Sequence, residues 1–168
     1  MILQALTEYY HRKAAGDSTD VAPAGFEKKE IPFIIVLDSQ GGFVDLEDTR
    51  EGEGKKKRAR IFTVPQSMKR PGTQGWKIAF LLWDHVGYVL GAGDEKAPKQ
   101  HASFVERIRS LPAETLKDPG VASVLTFLER GEFAPVFEHP LWPEVAESGA
   151  NLSFRLSGDR CLVCQREA

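Results

Sequence analysis

Apolar positions change their spacing along the chain, and the spacing predicts its elements. Ile2, Leu3, Leu6, Tyr9 and Tyr10 recur at helical intervals, which predicts a helix over 2–13. Residues 16–25, GDSTDVAPAG, gather turn formers and read as a loop. IPFIIVL, residues 31–37, is a continuous apolar run broken by Asp38 to Gly42, the pattern of a buried strand and a turn. FVDLE, residues 43–47, alternates with Val44 and Leu46 on one side and reads as a hairpin partner. Ile61 to Val64 reads as a third strand, closed by Pro65. Ile78 to Trp83 and VGYVLG, residues 86–91, read as further strands ending in a glycine-rich turn.

The second half changes period. Phe104, Val105, Ile108 and Leu111 repeat at helical spacing. Asp118 and Pro119 suit an N-cap and first helical position, Val121, Val124, Leu125 and Leu128 form a buried stripe, and Gly131 suits the stop. Prolines and aromatics in 132–150 predict an irregular packed segment, and NLSFRLSGD, residues 151–159, a strand and turn. The order predicts an α+β fold: an N-terminal helix, a small mostly antiparallel sheet with long basic loops, then a helical half. One domain over 1–168 is expected, with 1–95 as helix plus sheet, 96–150 helical, and 151–168 a strand, a turn and a truncated end.

Composition narrows the class. Hydrophobic residues make up 42% and charged residues 27% of 168, enough for a packed core. No run of about 18 apolar residues offers a membrane span. The start lacks a basic n-region and cleavage site, and reads as structure and not as a signal peptide. The two cysteines, Cys161 and Cys164, form no disulfide framework and suit a reducing cytoplasm. A structural zinc wants four ligands, so one C-x-x-C reads as two small core residues, with no metal or cofactor expected. The four histidines are scattered, no phosphate loop occurs, and no catalytic constellation is visible, so no enzyme is expected.

Charge is the informative feature. The chain carries a net −2, yet Arg50 to Lys77 holds nine basic and two acidic residues, a net +7. The remainder, with 13 basic and 22 acidic residues, carries −9. Two turn-rich loops hold that charge. EGEGKKKRAR, residues 51–60, supplies Lys55, Lys56, Lys57, Arg58 and Arg60 as candidate phosphate ligands. PQSMKRPGTQGWK, residues 65–77, supplies Lys69, Arg70, Thr73, Gln74 and Lys77. The Gln74 amide both donates and accepts, as base-edge reading requires. Solvated loops without a partner are the plain alternative. Trp83, inside an apolar run, reads as core. Trp76, at a loop edge, reads equally as packing or as a stacking surface for an unpaired base.

Six strings in order resemble one family. They are MILQALTEYYHR, PFIIVLDSQGGFVDLEDTRE, GKKKRAR followed by IFTVP, FLLWDHVGYVLG, VLTFLERGE and NLSFRLSGD. Together, from Met1 to about Gln165, they are similar to the N-terminal portion of the large subunit of type I-C (Dvulg subtype, Csd-type) CRISPR Cascade. The family pattern carries Asn where this chain has Gln74 and His85. The resemblance implies a non-enzymatic subunit that recognises a protospacer-adjacent motif in double-stranded target DNA. It implies association with the guide ribonucleoprotein, made of other Cascade subunits and crRNA, and recruitment of a helicase-nuclease to the full-length subunit. No membrane partner is expected. An interaction module docking to the guide RNA 5′ handle and neighbouring subunits is the second reading.

Overall fold

The computed structural model describes residues 24–54, 57–72 and 74–157. The helix expected over 2–13, the C-x-x-C, Lys55, Lys56 and Thr73 lie outside the described residues. The α+β class holds. A four-stranded sheet runs β3-β2-β6-β5, with β2 Phe33–Leu37, β3 Phe43–Asp48, β5 Asp84–His85 and β6 Asn151–Leu156. β2 pairs antiparallel with β3 and parallel with β6. A separate two-stranded ribbon pairs β1, Phe26–Glu30, with β4, Ile61–Pro65.

Alternation along β2 divides two cores. Phe33, Ile35 and Leu37 enter the main core with Leu152, Phe154 and Leu156 of β6. Against them pack α2, Ala97–Arg109, through Phe104, Val105 and Ile108, and α4, Pro119–Arg130, through Val121, Val124, Phe127 and Leu128. Ile34 faces the other way and joins Ile31, Phe62, Val64 and Trp83, which seat the ribbon. The Trp83 indole donates to the Pro65 carbonyl at 2.7 Å, so a buried polar atom is satisfied where ribbon and sheet meet.

The Asp118 carboxylate accepts from the Val121 amide at 3.0 Å, and Gly131 closes α4 at φ 65°. Residues 132–150 hold two short helices, α5 Ala134–Phe137 and α6 Trp142–Ser148, where an irregular segment was expected. A further short helix, α3, spans Ala113–Leu116.

Two strand expectations are corrected. VGYVL forms a helix, α1, Val86–Leu90: the His85 ring caps it by accepting from the Gly87 amide, and Gly91 ends it at φ 67°. Its β-branched composition is overridden by the caps and by complete burial. Ile78 to Trp83 is irregular because Leu82 turns at φ 64°, sending Ala79 and Leu82 to the main core and Trp83 to the smaller one.

Val44 departs from its expected side as well. The ladder slips between Val36 and Leu37, so Leu37 pairs with Phe43 and Val36 with Asp45. Val44 is left 49% exposed while Leu46 is buried. Leu46→Ala is therefore expected to cost about 2–5 kcal/mol in denaturant unfolding. Val44→Thr is expected to stay within about 0.5 kcal/mol of the parent.

Candidate nucleic-acid interface

The two basic loops leave opposite ends of β4. At about 3.3 Å per residue, this five-residue strand spaces them by roughly 16 Å, a little more than the ~12 Å width of a DNA major groove. At the first loop the chain doubles back. Glu51 and Arg58 exchange both backbone hydrogen bonds at 2.9 Å in an isolated antiparallel bridge. Gly52 and Gly54, at φ 107° and 59°, allow that reversal. The Arg58 guanidinium lies 3.3 Å from Glu30 and stays 84% exposed. Arg60 lies over the Phe62 ring at 5.9 Å. Lys57 and Arg60 make no ion pair with a described carboxylate, although Lys57 helps hold the Asp48 carboxyl low behind the dominant Arg50 hydrogen bond.

β1 adds charge that sequence reading missed. Its register sets Lys28 opposite Thr63 and Lys29 opposite Phe62, on the strand that joins the two loops. FEKKE carries too little apolar alternation to announce a strand; its pairing with IFTVP supplies the reason it forms. Glu27 and Glu30 come with it and moderate the field of the first loop.

The second loop is anchored by Arg70. Its guanidinium carbon lies over two rings, 3.7 Å from the Phe80 centroid and 3.9 Å from that of Tyr88. Its Nε donates to the Ile78 carbonyl at 2.7 Å, and a terminal nitrogen meets the Asp84 carboxylate. Asp84 is fully buried and also accepts from the backbone amides of Phe80 at 3.0 Å and His85 at 2.9 Å. Burial pushes the Asp84 carboxyl up, against the lowering pull of the Phe80 amide and Arg70. The Tyr88 hydroxyl donates to the Gly75 carbonyl at 2.7 Å, a second pin on the same loop.

Arg70 therefore faces its own chain, whereas Lys69 and Gln74 are exposed. Lys77 donates to the Gln74 side-chain carbonyl at 3.2 Å. Trp76, half-buried on the turn Gly75–Lys77, has the Lys77 and Lys99 ammonium groups 5.4 and 5.6 Å from its ring centre. Lys99 comes from α2 and was not anticipated. Beside Trp76, an open groove of about 900 Å³ runs along α2 past Met68, Lys77, Arg107 and Arg109.

Arg50 is likewise internal, bonded to Asp48 and Glu144 and stacked 4.8 Å over Phe33. Of the seven described cations between Arg50 and Lys77, Arg50, Arg58 and Arg70 pair with carboxylates, and Lys57, Arg60, Lys69 and Lys77 pair with none that is described.

Residues 6–168 match the family described as CRISPR-associated protein (Cas_Csd1). The chain belongs to that family. The Csd-type resemblance of the six strings is thereby borne out. No curated protein matches the chain. In this Csd1-family chain, the string FLLWDHVGYVLG supplies the anchor: Phe80, Asp84 and Tyr88 hold Arg70, and His85 caps the helix that carries Tyr88.

Two expectations test the anchor. Arg70→Ala leaves Asp84 buried without its counter-charge and should cost about 3 kcal/mol or more in equilibrium unfolding, against less than about 1 kcal/mol for Arg58→Ala. The second concerns pH. Burial lowers the His85 pKa from 6.5, and the Gly87 amide already occupies Nδ1, so the folded chain resists protonation there. Burial lowers His101 in the same sense. Stability from these groups is complete above about pH 6.5 and is lost as pH falls through the folded-state values. Denaturation midpoints should fall between pH 7.5 and 5.5, and His85→Asn, which keeps a capping acceptor without titrating, should flatten that slope.

Proposed function

We propose that this Csd1-family chain is the DNA-gripping N-terminal part of the large subunit of a type I-C CRISPR surveillance complex. It acts without catalysing a reaction: the guide RNA reads the target by base pairing, and the protein holds the adjoining duplex and reads a short flanking motif. The observation that carries this reading is the division among its cations. Arg50 and Arg70 hold the fold, while Lys57, Arg60, Lys69 and Lys77 remain unpaired with described carboxylates on the loops flanking β4. Cations without protein counter-charges release the most counterion on meeting phosphate.

Lys55 and Lys56 join the first loop by sequence. The first loop, with Arg58, supplies sequence-independent attraction. The second supplies discrimination through the exposed Gln74 amide and its neighbour Thr73, with Lys69 and Lys77 on adjoining phosphates. Arg70 serves by fixing the loop and makes no phosphate contact of its own. In the cell the chain works beside the guide ribonucleoprotein and a recruited helicase-nuclease.

Lys55, Lys56 and Lys57 replaced together by Ala should weaken all duplexes alike and reduce the slope of log K against log salt by roughly 2–3. Gln74→Ala should leave that slope unchanged and level the affinities of a library with a randomised flank. Titrations of the chain and of the assembled complex measure both effects; unchanged duplex binding in both variants would remove the assignment.

A further inference from the structure

We infer that the small pocket bordered by Trp76, His85 and Gln100 receives one unpaired base of a nucleic-acid strand. This rests on the nucleic-acid reading above and names what one part of the second loop would take. The pocket has a volume of about 210 Å³ and is lined by Arg70, Trp76, His85, Tyr88, Lys96 and Gln100, with Gly72 and Gly75 on its loop side. Drug-sized ligands occupy pockets of roughly 300–1,000 Å³, so this volume suits a single planar ring system.

Placement of the cations around Trp76 gives the pocket its direction. Lys77 and Lys99 line the groove of about 900 Å³ and do not line the pocket. The indole thus borders both spaces, with two ammonium groups lining the groove and an aromatic, polar lining in the pocket. Two further cations line the pocket itself, Lys96 and Arg70, the latter already engaged by Asp84. A neutral flat ring with anionic groups on both sides of it is the chemistry of a nucleotide within a strand. An aromatic face that stacks on a base does so with any base.

The pocket also offers edge contacts. The Gln100 carboxamide makes no hydrogen bond to a described group, and so presents a donor and an acceptor. Its Oε1 lies where a side chain at position 87 would be: a Cβ built on Gly87 would sit 2.3 Å from it. Glycine at 87 therefore leaves room for that amide. The His85 Nδ1 accepts from the Gly87 amide at 3.2 Å, which in the neutral ring leaves Nε2–H as a donor. Gly72 has no atom within 4 Å of a built Cβ, so the rim is low and open on that side.

The test uses 2-aminopurine placed at one position of a duplex, either paired or as a single unpaired bulge, with that strand made of DNA or of RNA. The 168-residue chain should bind the bulged duplex about tenfold more tightly than the paired one and quench its fluorescence. Trp76→Ala and Gln100→Ala should each abolish the preference and the quenching while leaving paired-duplex affinity within about twofold. Gln100→Ala carries the test if the tryptophan variant fails to fold. A preference confined to one strand chemistry supports the pocket and identifies its strand. Equal binding of paired and bulged duplexes, unaltered by Gln100→Ala, overturns this inference and leaves duplex gripping intact. Failure to bind any of the duplexes, by the chain and by the assembled complex, overturns both.

Discussion

The second loop depends above all on one guanidinium held over two rings. Among the described residues of 66–79 the one regular element is the short turn Gly75–Lys77, which leaves the loop to be fixed by contacts elsewhere. Arg70 fixes it by three means at once: stacking on Phe80 and Tyr88, a bond to the Ile78 carbonyl, and the buried Asp84 carboxylate. A planar, permanently charged group with a fork of donors fits that position, and a lysine ammonium would not satisfy it. The carboxylate in turn needs the cation, because a buried charge without a partner is strongly unfavourable. Sheet, helix α1 and loop are therefore one mechanical unit.

The same chemical difference separates several of the other cations. Arg50 ties the end of β3 to α6, Arg107 donates to the Ala79 carbonyl, and Arg155 reaches Glu47 across β2. These arginines act as internal fasteners. Lys57, Lys69, Lys77 and Lys99 stay at the surface, where strongly hydrated point charges cost little to keep and can exchange water for phosphate. The local net charge of the sequence thus overstates what a ligand would meet, since part of it is neutralised within the fold, by Asp48, Glu144 and Asp84.

Much of this was legible in the chain itself, where the signals are local. The buried run of β2, its hairpin with β3, the Asp118 cap and the Gly131 stop each rest on a few neighbouring residues, and each was found in place. The failures fall where backbone turns and caps override composition, or where distant contacts decide. FLLWDHVGYVLG is apolar enough for strands, yet a left-handed Leu82 and a histidine cap make it a bend and a helix. β1 has no pattern of its own and exists by pairing with β4. The basic loops could be located by composition, but composition could not separate Arg70, which faces inward, from Lys69 beside it. Lys99 joins Trp76 from a helix more than 20 residues away, a proximity that no local reading supplies.

The central claim is that a loop held by Arg70 and the basic loop bridged at Glu51 and Arg58 together meet duplex DNA. Hydrogen–deuterium exchange of the chain, free and with duplex, reports on both segments at once. The account predicts slowed exchange in 51–60 and 66–77, with the core strands unchanged. Slowing confined to the helices of 113–148, or absent from both loops at saturating duplex, would contradict it.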